Sequence, residues 1–177
     1  MTKKNKNKNV IHYTIQIKNN DNVKIVLIKN NDSQLEILSF INKFNSDNDD
    51  TDIDKIDFID FDYVKKINCS SNRLKNLGIL PETLIELNCS YNYIGSLDNL
   101  PESLIKLYCQ YNKLVKLDNL PPNLKYLGCS NNGIQYFENL PLSLEVLNCS
   151  QNPIKNLNFL PNVEILYCDI QIGRAHV

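Results

Sequence analysis

Apolar residues recur along most of the chain in a pattern that repeats every 20 residues. Each unit reads L-x-x-L-x-C-x-x-N-x-[IL] and ends in a second apolar group, L-x-x-L-P. The cysteines mark the register: they are Cys69, Cys89, Cys109, Cys129 and Cys149, with Cys168 one residue early. A short fixed period of this kind is typical of a solenoid, in which a unit buries its apolar face only against its neighbours.

The two halves of the unit predict different backbone conformations. Alternation in L-x-C predicts a short strand with one face inward, and one strand per unit predicts a parallel sheet with strands about 4.8 Å apart. The inward cysteines then behave as small apolar groups of a shared interior. Proline cannot continue a helix and keeps its predecessor extended, so the convex side is expected to be extended with little helix. These prolines are Pro81, Pro101, Pro121, Pro141 and Pro161.

Asparagine follows the same period at one position of the unit. These residues are Asn72, Asn92, Asn112, Asn132 and Asn152. An inward amide at a turn can satisfy backbone groups of its own unit and of the next one, and each group left unsatisfied costs about 1–3 kcal/mol. We therefore interpret the asparagines as a structural ladder and not as ligands.

The repeat resembles a known family. The second unit carries the pattern on Leu84, Leu87, Cys89, Asn92 and Ile94, which is similar to the leucine-rich repeat, L-x-x-L-x-L-x-x-N/C-x-L, with Cys in place of one Leu. The 20-residue length and the L-P ending resemble the bacterial-effector class and similar repeats of large DNA viruses. The resemblance implies a leucine-rich repeat solenoid of the α/β horseshoe class, with about five and a half repeats over residues 63–171.

Residues 10–45 precede the repeats and predict a small cap. Strong β-formers on either side of a polar turn, KNNDN, predict a hairpin. Ser33 and Glu36 then form a capping box ahead of an apolar face, which predicts a helix over residues 34–44. The resulting β-β-α unit would cover the first end of the repeat array.

Three further segments lie outside the cap and the repeats. Residues 1–9, rich in Lys and Asn, predict a disordered arm. Residues 46–62 carry eight Asp and one Lys and predict an acidic linker that ends in an irregular strand. Residues 172–177, IGRAHV, break the repeat and match the translation of a common sequencing-library adapter. We expect these six residues to be an artefact and the natural chain to continue.

The net charge and the hydropathy of the chain limit the kinds of partner that we expect it to bind. The net charge is −1, and residues 63–171 hold nine basic and nine acidic residues, so we expect no nucleic-acid partner. No apolar run approaches the ~20 residues of a membrane span, so we expect no membrane association. No secretory signal is visible, which favours a cytoplasmic, intracellular location, the interior of a host cell included.

Reactive side chains do not form a recognisable catalytic set. His12 and His176 are the two histidines, and no Ser-His-Asp, Cys-His or Gly-rich phosphate motif is present. Disulfide frameworks belong to secreted chains, and zinc sites use closely spaced ligands, so neither explains cysteines that are 20 residues apart. We expect core packing for the cysteines, no catalytic residue and no cofactor.

The acidic linker contains one fragment that resembles a calcium loop. Asp50, Asp52 and Asp54 alternate as in the start of an EF-hand. That loop needs Gly at its sixth position and Glu at its twelfth, where this chain has Lys55 and Phe61. We therefore expect a solvated linker and no metal site.

The positions that face outward from the strands remain free for binding. Tyrosine is frequent among them and is a preferred interface residue, although the same rings could also simply cover the sheet. The predicted partner-binding residues are Asn88, Tyr91, Lys106, Tyr108, Tyr111, Tyr126, Asn148 and Tyr167. The sequence thus predicts a monomeric, non-enzymatic module that binds a protein partner on its concave face.

Two alternatives to this function stay open. The repeats could select a substrate for a larger effector, such as a ubiquitin ligase, whose C-terminal enzyme domain is missing from this chain. They could also form a purely structural spacer.

Overall fold

The computed structural model describes residues 10–16, 22–29, 35–41, 64–157 and 160–169, the first three ranges as strand backbones. In this part of the chain, nine strands follow one another in a single sheet, in chain order, and no helix occurs. The strands are β1 (Val10–Gln16), β2 (Asn22–Lys29), β3 (Leu35–Ile41), β4 (Lys66–Asn68), β5 (Glu86–Asn88), β6 (Lys106–Tyr108), β7 (Tyr126–Gly128), β8 (Val146–Asn148) and β9 (Ile165–Tyr167). The predicted arm, acidic linker and final six residues lie outside the described ranges.

The sheet changes from antiparallel to parallel at β3. The first three strands pair antiparallel, so the predicted hairpin is present in the structure. From β3 to β9 every neighbouring pair is parallel and in register. Strands β4 to β9 have three residues each, one strand per repeat unit. This is the predicted leucine-rich repeat solenoid.

The helix predicted over residues 34–44 is wrong, because Leu35–Ile41 forms strand β3. Its apolar run, LEILSFI, fits both a helical and an extended spacing, and a run this short cannot be assigned from periodicity alone. Pairing decides the outcome, since β3 has β2 on one side and β4 on the other. The pairing of Leu38 with Ile67 shows that L-x-x-L-x-F already follows the repeat register before the first cysteine.

The interior contains the predicted side chains. In the second unit Leu84, Leu87, Cys89 and Ile94 are all 0% exposed, and the same positions are buried in the neighbouring units. The prediction that leucine and cysteine share one core is confirmed for Cys69, Cys89, Cys109, Cys129 and Cys149. Burial of a leucine side chain contributes about 1.5–3 kcal/mol, so this column of apolar groups stabilises the array.

The asparagine ladder is present, and it connects each unit to the preceding one, not to the next as predicted. The Nδ2 group of Asn92 donates to the carbonyl oxygens of Cys69 and Cys89, at 2.9 and 3.0 Å. Its Oδ1 atom accepts from the backbone N–H of Leu74 at 3.0 Å. The same bonds recur at Asn112, Asn132 and Asn152.

A second ladder, which the sequence analysis missed, joins the units near the prolines. The hydroxyl of Ser103 donates to the backbone oxygens of Glu82 and Leu84, at 2.7 and 2.6 Å. Ser143 repeats this arrangement two units later. This ladder could have been predicted from the sequence, because a small polar residue recurs every 20 residues, two positions after Pro.

The convex side is extended, as predicted. Each L-P step is followed by a single turn, such as the one in which the N–H of Leu84 donates to the carbonyl of Pro81 at 3.1 Å. After each of the strands β4 to β8 the chain also turns through a left-handed residue. These residues are Ser71, Tyr91, Tyr111, Asn131 and Gln151, with φ between 53° and 58°.

Candidate functional site

The concave face is defined here as the first and third residues of strands β4 to β9, because the second residue of each strand points inward. It includes six of the eight predicted binding residues, namely Asn88, Lys106, Tyr108, Tyr126, Asn148 and Tyr167. Five of them are half-buried or exposed within the array, and Tyr167 lies on β9 with 56% exposure.

Tyr108 and Tyr126 form an aromatic pair at the centre of this face. Their ring centroids are 4.7 Å apart and the ring planes are inclined by 38°. Partial burial raises the pKa of Tyr108, with smaller contributions from the carboxylate of Glu86 and from Tyr126. Burial and the proximity of Tyr167 raise the pKa of Tyr126. Both phenols therefore stay protonated near neutral pH and can donate hydrogen bonds.

Gly128 provides the space in which this pair and a neighbouring amide pack. A Cβ atom at this position would lie 2.5 Å from Nε2 of Gln110 and 3.3 Å from Cε1 of Tyr126. Gln110 is held in turn by the hydroxyl of Ser90, which donates to its Oε1 atom at 2.6 Å. Gly128 and Gln110 face outward in the repeat pattern but are not among the eight predicted binding residues. The sequence feature that marks this packing is a glycine at a strand position where the other units have Asn or Tyr.

Tyr91 and Tyr111, the other two predicted binding residues, lie outside the strands. They are the left-handed residues that come three positions after the ends of β5 and β6. Their rings stack at 4.4 Å with an interplanar angle of 10°, and they are 55% and 47% exposed. Nearby, the ammonium of Lys113 lies 4.8 Å from the ring centroid of Tyr93.

A hollow of about 280 Å³ opens on the concave face next to Tyr108. Its lining consists of Lys66, Ile67, Asn68, Glu86, Asn88 and Tyr108. Asn88 and Tyr108 of this set are among the eight predicted binding residues. Lys66, Asn68 and Glu86 occupy the equivalent outward strand positions of neighbouring units.

The cysteines are packed as thiols in the interior. Burial raises the pKa of Cys69 and of Cys149 to about 12, and it raises the pKa values of Cys89, Cys109 and Cys129 well above that of an ordinary thiol. The Sγ atoms of Cys89 and Cys109 lie 3.4 and 3.3 Å from the carbonyl oxygens of Tyr108 and Gly128. Thiolate is the nucleophilic and metal-binding form, so burial makes these five groups chemically inert.

Within the described ranges, no three His, Cys, Asp or Glu side chains come together in an arrangement that could hold a metal ion. Within the same ranges, no helical segment has the length and apolarity that a bilayer crossing requires.

Solved structures of bacterial effectors are among those that this chain resembles. The leucine-rich repeat domain of a Shigella effector matches at 36% identity with a TM-score of 0.56, over 58% of this chain and 47% of that one. YopM from Yersinia enterocolitica matches at 26% identity and a TM-score of 0.41, over 64% of this chain and 39% of that one. The leucine-rich effector YopM from Yersinia pestis matches at 23% identity and a TM-score of 0.40, over 62% and 44%.

The stacked 20-residue units define a leucine-rich repeat protein. More particularly, the chain is a leucine-rich repeat protein that resembles bacterial effectors, and it spans less than half the length of the solved effectors it matches. No family model matches the sequence, and no curated protein matches it. The effector-like fold suggests a protein-interaction module, since leucine-rich repeat solenoids are typically non-enzymatic interaction domains.

Proposed function

We propose that the chain is a non-enzymatic module that binds a protein partner on its concave face. The observation that carries the proposal is the Tyr108–Tyr126 pair, which lies at the centre of the face and keeps two neutral phenols at its surface. Interface hot spots are typically central, partly desolvated aromatic side chains surrounded by weaker polar contacts. The polar surroundings here are Lys106, Gln110 and Asn88.

The test compares two tyrosine changes with a matched control. A Tyr108→Ala/Tyr126→Ala double variant should fold, because both rings lie outside the core, and should lose its protein partner. Tyr136→Ala removes a tyrosine that is 46% exposed and lies outside the strands, and it should keep the partner. Quantitative mass spectrometry after affinity capture from cell extract measures the outcome. A protein captured equally by all three forms would argue against the concave face.

A second candidate is that the repeats select a substrate for a longer effector, such as a ubiquitin ligase. The similarity to a Shigella effector's repeat domain favours this reading. The repeats would then still bind a protein, and the catalytic residues would lie outside the described strands. Sequencing the gene beyond its known 3′ end discriminates between the two candidates. We further propose that the module is monomeric and acts inside a cell.

A further inference from the structure

The side chains of Asn68 and Asn88 are oriented by hydrogen bonds within their own turns. The Oδ1 atom of each accepts from the backbone N–H two residues later, on Ser70 and Ser90, and both distances are 3.1 Å. A backbone N–H is a donor, so the atom that it contacts must be the amide oxygen and the other branch must be the NH2 group. Neither NH2 group donates to another described residue, and both residues line the hollow next to Tyr108.

The two amide groups lie at neighbouring rungs of the sheet. Asn68 pairs with Asn88 in register, so the two side chains are about 4.8 Å apart along the array. A carboxylate has two acceptor oxygens and can receive one N–H from each side at ordinary hydrogen-bond distances. The phenol of Tyr108 adds a third donor at the same hollow.

The lining of the hollow is electrically balanced, and one further positive charge lies beside it. Lys66 and Glu86, the two charged lining residues, compensate each other, with Nζ and Oε2 3.6 Å apart. Lys106 lies outside the lining, in register beside Glu86, and its ammonium forms no ion pair with a described residue. The first-position row of β4 to β6 therefore carries one net positive charge. Hydrogen bonds to an ionised acceptor are also roughly twice as strong as neutral ones.

We propose that this hollow binds the carboxylate of an Asp or Glu side chain in an acidic segment of the partner protein. The inference rests on the proposed concave-face interaction and names the chemistry of the ligand. The NH2 groups of Asn68 and Asn88 and the hydroxyl of Tyr108 donate to the carboxylate. Lys106, on the strand position next to Glu86, adds an unbalanced positive charge beside the hollow.

Side-chain amide resonances test this site directly. The ¹⁵N-labelled chain is titrated with an end-blocked hexaglutamate peptide and, separately, with the end-blocked hexaglutamine peptide. Hexaglutamate should shift the NH2 signals of Asn68 and Asn88 in a saturable manner, and hexaglutamine should not. Asn148 is an internal control, because it forms the same turn with Ser150 at 3.3 Å but lies outside the hollow. Equal shifts at Asn148, or equal shifts with hexaglutamine, would overturn the proposal.

A matched pair of variants gives the second measurement. Asn88→Asp keeps an oxygen acceptor for the N–H of Ser90, so the turn is retained, but it replaces the NH2 donor with a negative charge. We expect its dissociation constant for hexaglutamate to rise at least tenfold, which corresponds to about 1.4 kcal/mol. Asn148→Asp makes the same chemical change away from the hollow and should leave the affinity within twofold. Unchanged affinity in Asn88→Asp would contradict the carboxylate site.

The carboxylate site and the concave-face interaction can fail separately. If hexaglutamate does not bind while the tyrosine double variant loses its protein partner, only the carboxylate site is refuted. If hexaglutamate binds as described while the partner is captured equally by all tyrosine variants, only the assignment of the partner to the tyrosine pair is refuted.

Discussion

The middle strands of the array and β9, the last strand described, share one sequence pattern but differ in burial. The central leucines of β5 to β8, which include Leu107 and Leu147, are 0% exposed, whereas Leu166 at the centre of β9 is 38% exposed. Cys168 is half-buried, although Cys149 in the preceding rung is 1% exposed. The backbone does not explain the difference, because β9 pairs with β8 in the same parallel register as every other rung.

The difference in side-chain burial comes from the neighbouring strands. Each middle rung is covered on both sides, whereas no described strand lies beyond β9. The leucine and cysteine positions therefore specify which side chains can be buried, and the adjacent unit determines whether they are. The stability of such an array is approximately the sum of the stability of each unit and of the interfaces between units.

Truncation of a leucine in the middle of the array should cause the largest loss of stability. Leu107→Ala should lower the free energy of unfolding by about 2–5 kcal/mol, because it leaves a cavity among groups that cannot collapse fully. Leu166→Ala, the same change on β9, should cost about 1 kcal/mol or less, since its side chain is already partly in water. Urea denaturation followed by circular dichroism measures both. Equal losses would show that β9 is as well covered as β6.

Removal of one asparagine from the ladder should cause an intermediate loss of stability. Asn112→Ala removes the acceptor of the Ile94 N–H and the donor to the carbonyls of Cys89 and Cys109. We expect the free energy of unfolding to fall by about 1–3 kcal/mol. Asn123→Ala is the matched control, because the exposed Nδ2 group of Asn123 makes one long contact of 3.4 Å, and it should change stability by about 0.5 kcal/mol or less. Similar losses in both variants would contradict a special role for the ladder.

Alkaline pH should destabilise the covered rungs through their thiols. The pKa of Cys69 rises from 9.0 to about 12 on folding, so between these values the unfolded chain has released a proton that the folded chain retains. The stabilisation is complete below pH 9 and is lost as pH rises toward 12. Between pH 9 and 10, Cys69→Ala should lose stability less steeply than the unmodified chain, by on the order of 1 kcal/mol. Parallel curves would contradict this coupling.

Thiol labelling tests the same difference in burial through the reactivity of the cysteines in the native chain. In the native chain, Ellman's reagent should modify one equivalent of thiol quickly, at the half-buried Cys168. The five buried thiols should react only as the array unfolds, because they are neither accessible nor ionised. Cys168→Ala should abolish the fast phase. A second fast equivalent in the native chain would mean that Cys149 is also open to solvent.

Much of the fold follows from periodicity. The 20-residue spacing of Leu84, Cys89 and Asn92 and their counterparts predicts the rungs, the interior and the extended convex side, and all three are present. Strand β3 could not be predicted in this way, because the spacing of Leu35, Leu38 and Ile41 also suits a helix. Its assignment as a strand depends on pairing with β2, which precedes it directly, and with β4, which follows only after the acidic linker.

Periodicity predicts less of the candidate site than of the fold. The repeat indicates which positions face outward, but it does not indicate that Tyr91 and Tyr111 adopt a left-handed conformation after the strands. The packing of Gln110 over Gly128 depends on the absence of one Cβ atom in a single unit, which a repeating pattern hides. Irregular positions within a regular array are therefore the ones that require coordinates.

The direction of the asparagine ladder has a consequence for synthesis. The N–H of Leu74 receives its acceptor from Asn92, which is 18 residues later in the chain. A repeat that has just left the ribosome therefore lacks an internal acceptor until most of the following repeat has emerged. Because chains fold from the N-terminus during translation, completion of each repeat should trail elongation by about one unit.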